Sequence, residues 1–151
     1  LPICVSPEAA VPHIKNFISA PHRCVEVANN GVRFIDDSKA TNVGATIAAL
    51  EGLAPVTTGK LLLIAGGDAK GADINALSPY LLQHVAELFA KAFENTVLSN
   101  DLSDAVKSAY SAASHGDVVL LSPACASIDM FDNYMHRGQV FKNAVEEVIA
   151  A

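Results

Sequence analysis

The chain changes hydrophobic period several times, and each change marks an element. Cys24-Val25-Glu26-Val27-Ala28 alternates apolar with polar, and Val32-Arg33-Phe34-Ile35 alternates again. Between them Asn29-Asn30-Gly31 supplies residues that tolerate positive φ, so the pair predicts a β-hairpin. Val43, Ile47, Leu50 and Leu53 recur at helical spacing, with Thr41 or Asn42 as the cap and Gly52 as the stop. The apolar run from Lys60 to Ala65, closed by Gly66-Gly67-Asp68, predicts a buried strand of a parallel sheet. Ile74 to Phe93 is helical in period, with Pro79 near its start. Thr96-Val97-Leu98 leaves room for a short strand, and Leu102 to Ala113 predicts a helix capped by Asp101 or Asn100. Val118 to Leu121 predicts a second buried strand, and Gln139 to Ile149 a closing helix.

Alternation of strands with helices predicts an α/β domain: a Rossmann-like open, mostly parallel sheet with helices on both faces and an N-terminal β-hairpin. No internal repeat or low-complexity linker divides residues 1–151, so one domain is expected. Residues 1–21 form a lead-in segment punctuated by Pro2, Pro7, Pro12 and Pro21, with a short helix expected from Pro12 to Ile18.

Composition narrows the functional classes. With 51% apolar and 17% charged residues, the chain is globular rather than disordered. Its formal charge of -6 argues against a nucleic-acid surface, which needs a basic patch. No apolar stretch approaches the roughly 20 residues that cross a bilayer, and no membrane-surface role is indicated. Leu1 to Val11 lack the basic start and apolar region of a signal peptide. The chain opens on Leu1 rather than Met, which suggests a piece of something longer or a missing start. Cys4, Cys24 and Cys125 are far apart and outside any C-x-x-C pair, which predicts buried free thiols in a reducing cytoplasm. His13, His22, His84, His115 and His136 show no metal-ligand spacing.

Ligands of open α/β sheets gather beyond the carboxyl ends of the strands. Three polar or small-residue segments fall there: Asp36 to Asn42, Gly66 to Asp73, and Ser122 to Asp129. In the first, Lys39 and Thr41 at a helix mouth can hold a carboxylate or phosphate, and Asp37 can accept from a sugar hydroxyl. Simple capping with a solvated Lys39 explains the same residues equally well. In the second, glycines admit a ligand to the backbone and Lys70 offers a point charge. A tight turn with an exposed lysine is the simpler account of that segment. It is neither a dinucleotide fingerprint nor a phosphate-binding loop: near Gly59-Lys60, Ala54 and Leu61 occupy positions that such a loop needs. In the third, Ser127 is a natural donor to an oxyanion, while Cys125 reads as an inert thiol. Arg23 can clamp a phosphate or pair with a surface acid, and His136-Arg137 is expected on a solvated helical face.

Taken together, Asp37-Ser38-Lys39-Ala40-Thr41-Asn42, Gly66-Gly67-Asp68 and Leu121-Ser122-Pro123-Ala124-Cys125-Ala126-Ser127 resemble the C-terminal domain of the Mur ligases. Pro21-His22-Arg23 and the Asn30-Gly31-Val32-Arg33 hairpin agree, and the likeness covers about residues 12 to 148. Within the family it points to the members that add D-glutamate.

The resemblance implies an ATP-dependent amide ligase of peptidoglycan synthesis in a bacterial cytoplasm. Its chemistry would join D-glutamate to UDP-N-acetylmuramoyl-L-alanine through an acyl phosphate. It further implies that Thr41 and Lys70 hold one carboxylate of D-glutamate, while Ser127, Ile128 and Tyr134 line the pocket of the other. Arg23, Asp37 and Lys39 would face the nucleotide, with Asp37 at the ribose. ATP and Mg2+ would be bound mainly by a central domain outside these residues, and the UDP-sugar by an N-terminal one. The isolated domain is therefore expected to lack ligase activity and to bind D-glutamate weakly at best. Tyr134 stands where the family often has Phe, and the chain looks short by a strand and loop between Ala86 and Asn100.

Overall fold

The Asn-Gly hairpin forms as its sequence predicts. Strand β1 (Val25–Asn29) runs antiparallel to β2 (Arg33–Asp36), with a bulge between Glu26 and Ala28. Gly31 takes φ +101°, open to glycine at little cost. The Asn29 and Asn30 side chains accept from the Gly31 and Val32 N–H groups, closing the turn. The computed structural model describes residues 7–14, 18–77, 85–87 and 97–151.

Helix α1 (Pro7–Ile14) precedes the hairpin. It starts earlier than the expected Pro12–Ile18 because Pro7 suits the first helical position and Glu8 the first turn. Residues 18–20 are not helical, and residues 15–17 lie outside the described residues. After β2 come α2 (Val43–Leu53), β3 (Leu61–Ile64), β4 (Val85–Glu87), α3 (Leu102–Ala112), β5 (Val118–Leu121) and α4 (Tyr134–Ala150). Asn42, Asp101 and Asn133 cap α2, α3 and α4, each side chain accepting an N–H three residues on. Gly52 does not stop α2, which runs into a 3-10 turn over Ala54–Val56 with Pro55 in its first turn.

The sheet order is β1-β2-β5-β3-β4, parallel throughout except for β1. Alternate residues of the central strands feed two cores. Phe34, Leu62, Ile64, Val119 and Leu121 pack with Val106 and Ala109 of α3 and with Phe141 and Val145 of α4. Ile35, Leu61, Leu63, Val118 and Leu120 pack on the other face with Ala49 and Leu50 of α2. The expected open sheet, with helices on both faces and an N-terminal hairpin, is what the chain builds.

The described parts of one expected helix are not helical in the way its period predicts. Of the expected helix from Ile74 to Phe93, Ile74–Leu77 form a 3-10 turn and Val85–Glu87 form β4, paired with Leu61–Leu63 of β3. Residues 78–84 and 88–96 lie outside the described residues. The exposed main-chain row of β3 needs a partner, and that demand outweighs the helical preference of three residues. Val97 and Leu98, read as a strand with Thr96, are exposed and belong to no strand; Thr96 lies outside the described residues.

The opposite, amino end of the sheet is closed by Asp117, which is 3% exposed. Its carboxylate accepts the Lys60 N–H at 2.6 Å and the Ser114 N–H at 2.8 Å. Asp117→Ala is expected to lower stability by roughly 3 kcal/mol, because two main-chain donors lose their partner. Urea unfolding checks this, and a loss below 1 kcal/mol would show that water replaces the carboxylate freely.

Candidate functional site

Parallel pairing sets the three polar loops level with one another. Asp36 of β2 and Ile64 of β3 both pair with Leu121 of β5, so all three strands end together. The ladder then continues into the loops: Asp37 N–H donates to Leu121 O at 2.8 Å and Ser122 N–H to Ile64 O at 3.2 Å. Gly66 N–H reaches Pro123 O, and Ala126 N–H reaches Asp68 O at 2.9 Å. Loops from distant parts of the sequence are thus bonded to each other at the carboxyl rim.

A buried cluster locks the first loop to the third. Ser122, fully buried, donates its hydroxyl to Asp37 Oδ2 at 2.9 Å. Thr46 of α2 donates to Ser122 O, and Asp37 Oδ1 accepts the Cys24 N–H at 3.2 Å. Burial pushes the Asp37 carboxyl above its usual range, against the lowering pull of the Ser122 and Cys24 bonds.

Arg137, expected on a solvated face, is 3% exposed and holds these loops together. Its Nη2 donates to Ser38 O at 2.8 Å and its Nε to Ser38 Oγ at 3.1 Å. Its Nη1 donates to the carbonyls of Cys125 and Ala126 at 3.2 and 3.3 Å. Ser38 Oγ in turn donates to Tyr134 O at 2.7 Å. Burial lowers the pKa of the guanidinium, while the nearby Cys125, Asp129 and Asp36 oppose that shift. The sequence did carry a signal for this position. Once Asn133 is taken as the cap, Arg137 falls in one helical stripe with Phe141, Ala144 and Val145. His136 is exposed, as expected, and pairs with Asp132 at 3.1 Å.

The other expected site residues divide by exposure. Thr41 and Lys70 are exposed, each on its own loop of this rim, with Lys70 at φ +48°. Ser127 is buried, its carbonyl accepting from the Met130 and Phe131 N–H groups, while Ile128 beside it is exposed. Tyr134 opens α4, and Lys39 Nζ sits 3.9 Å from its ring centroid. Arg23 is exposed, next to His22, whose Nδ1 lies 2.6 Å from Asp36 Oδ2. A cavity of about 300 Å³ opens at the same rim on the α3/α4 side, lined by Gly66, Gly67, Ser99, Pro123, Phe131 and Arg137 among others. None of the eight expected contact residues lines it.

The thiols depart from expectation at one position. Cys125 is buried and burial raises its pKa, which keeps it protonated. Cys24 is exposed rather than buried, and partial desolvation together with the Asp37 carboxylate pushes its thiol up to about 11. Cys4 lies outside the described residues.

Fold and rim define the class: an open α/β domain whose polar loops meet at the carboxyl ends of its strands. The chain belongs to the Mur ligase family, whose "Mur ligase, glutamate ligase domain" matches residues 22–125. It is 52% identical over 140 residues to a UDP-N-acetylmuramoylalanine--D-glutamate ligase of Pseudoalteromonas translucida, covering 85% of this chain and 31% of that protein. The ligase of the same name from Pseudomonas aeruginosa is 47% identical, covering 93% of this chain and 34% of the relative. The chain thus spans about a third of the length of these relatives. Among solved structures, MurF ligase from Thermotoga maritima in complex with ADP superposes with a TM-score of 0.61 at 19% identity, covering 87% of this chain and 33% of that one. A bifunctional folylpolyglutamate synthase/dihydrofolate synthase from Yersinia pestis gives the same TM-score at 20% identity, covering 94% and 35%. These two likenesses bear on the fold alone.

Two outcomes follow from the rim. Arg137→Ala is expected to cost roughly 3 kcal/mol or more, since three main-chain carbonyls lose their donor. Arg137→Lys should recover less than half of that, because a point ammonium cannot span both loops. Denaturant unfolding of both variants decides it, and a fully stable lysine variant would remove the need for the fork.

The second concerns pH. A raised carboxyl pKa means that the folded chain binds the Asp37 proton more tightly than the unfolded one. Its contribution to stability is then fullest below the ordinary value of 3.8 and is lost as pH rises through the folded value. The stability advantage of the unsubstituted chain over Asp37→Asn should therefore shrink as pH rises from below 3.8 toward neutrality. A difference constant with pH would contradict the raised value.

Proposed function

We propose that this chain is the D-glutamate-binding domain of an ATP-dependent ligase that joins D-glutamate to UDP-N-acetylmuramoyl-L-alanine in the bacterial cytoplasm. The observation that carries the reading is the meeting of three polar loops at one rim, in a chain about half identical to ligases of that name. D-glutamate brings two carboxylates, and the rim offers donors and a cation from separate loops. Thr41 and Lys70 take one carboxylate. The Ser127 hydroxyl takes the other, with the main chain at Ile128 and Tyr134 completing the pocket. Arg23 and Lys39 face the nucleotide. Asp37, whose carboxylate already accepts from Ser122 and Cys24, serves that side by holding the loop, and meets the ribose through whatever acceptor capacity remains.

The described residues do not fit Mg2+. Among the described residues no cluster of three His, Cys, Asp or Glu side chains could hold a metal ion. The sequence carries no phosphate-binding loop, so the ion and the ATP phosphates are assigned to the remaining two thirds of the full-length protein. In the proposed reaction ATP phosphorylates the substrate carboxylate, and the D-glutamate amine attacks the acyl phosphate. The tetrahedral intermediate collapses with loss of phosphate and leaves an amide. This domain's part is to place the amine, since orientation converts a bimolecular encounter into an effectively intramolecular one. The isolated domain would have no turnover.

Phosphate release by the full-length protein, dependent on ATP and the UDP-sugar, tests the reading with D-glutamate, L-glutamate and D-aspartate as acceptors. Turnover should be fastest with D-glutamate, and equal rates with all three, or none with D-glutamate, would overturn it. Lys70→Ala and Ser127→Ala should each raise KM for D-glutamate at least tenfold while KM for ATP changes less than twofold. Unchanged kinetics in both would leave a binding domain with its ligand elsewhere.

A further inference from the structure

His22, for which the reading above has no role, sits in an unusual local geometry. Its φ is +62° and that of Cys24 is +47°, so the residues on both sides of Arg23 occupy the left-handed region. For non-glycine residues this costs about 1 kcal/mol or more and persists only where surroundings impose it. Surrounding contacts impose it. His22 Nδ1 lies 2.6 Å from Asp36 Oδ2, and Asp36 is 3% exposed. The His22 carbonyl accepts the Lys39 N–H at 3.0 Å. Asp36 Oδ1 accepts the Ser38 N–H at 2.9 Å. The His22 and Tyr134 rings meet edge to face with centroids 6.1 Å apart, and Lys39 Nζ lies 3.9 Å from the centroid of that same Tyr134 ring.

This pairing needs an empty space in α4. A Cβ on Gly138 would fall inside contact distance of His22 Nδ1 and 2.8 Å from Asp36 Oδ2. Glycine inside a helix costs up to about 1 kcal/mol relative to alanine, so the gap is kept against local preference. We propose that His22 is a positioning residue: latched to Asp36 in the gap left by Gly138, it holds the Arg23 and Lys39 segments in place at the rim. Only the kinetic arm of this inference rests on the ligase reading.

The test uses the full-length protein with His22→Ala, His22→Asn, Gly138→Ala and the double variant His22→Ala/Gly138→Ala. Amide hydrogen exchange over residues 37–41 should accelerate at least tenfold in His22→Ala and in Gly138→Ala, with residues 118–121 unchanged. The double variant should exchange no faster than either single one, because both break the same contact. His22→Asn, which keeps a donor toward Asp36, should restore most of the protection. In phosphate-release kinetics His22→Ala should raise KM for ATP at least fivefold while KM for D-glutamate moves less than twofold. Unchanged exchange in His22→Ala, or equal acceleration at residues 118–121 in every variant, would overturn the proposal. If the unsubstituted protein releases no phosphate, the ligase reading fails and the exchange arm alone decides the latch.

Discussion

The rim depends on a buried cation to which no carboxylate among the described residues is hydrogen-bonded. Arg137 spends its donors on main-chain carbonyls of two loops and on the hydroxyl of Ser38. Taking a guanidinium out of water is costly, and the cost is met only if its hydrogen bonds are made together. That condition turns a weak requirement on each loop into a strong one on both. If either loop drifts, a charge is left buried without enough partners. The carboxyl rim is therefore tightly specified despite being irregular.

Around that anchor the polar groups fall into an inner and an outer set. Asp36, Asp37, Ser38, Thr46 and Ser122 are buried and satisfied by one another, by backbone, by Arg137 and, for Asp36, by His22. Thr41, Lys70 and Arg23 stand outside them, exposed and free to meet a solute. The inner set fixes where the outer set stands, which is how the surface proposed to bind D-glutamate can be made from loops without being soft. Lys39 joins the two, its backbone bonded to His22 and its ammonium resting on Tyr134.

Much of this was legible in the sequence. Apolar runs and an Asn-Gly turn gave the hairpin, β3 and β5, because burial on both faces leaves a continuous signal. The three loops were legible because strands of one parallel sheet deliver their carboxyl ends to one side. Val85–Glu87 was not, since three residues cannot outvote a helical period around them, and only the open edge of β3 makes them a strand. Arg137 was missed for a different reason: arginine is read as a surface residue, and its burial depends on carbonyls more than ten residues away in sequence, and in the case of Ser38 nearly a hundred.

The position of β5 has a consequence for how the domain is assembled. It is the last strand in the sequence but the middle one in space, bonded to β2 on one side and β3 on the other. Until residues 118–121 are available, the hairpin and the β3–β4 pair have no direct main-chain link, and each presents an open edge. Strand closure is therefore a late, non-local event of the kind that slows folding. A nascent chain halted before Asp117 would hold two sticky half-sheets, the state in which a chaperone would be needed most.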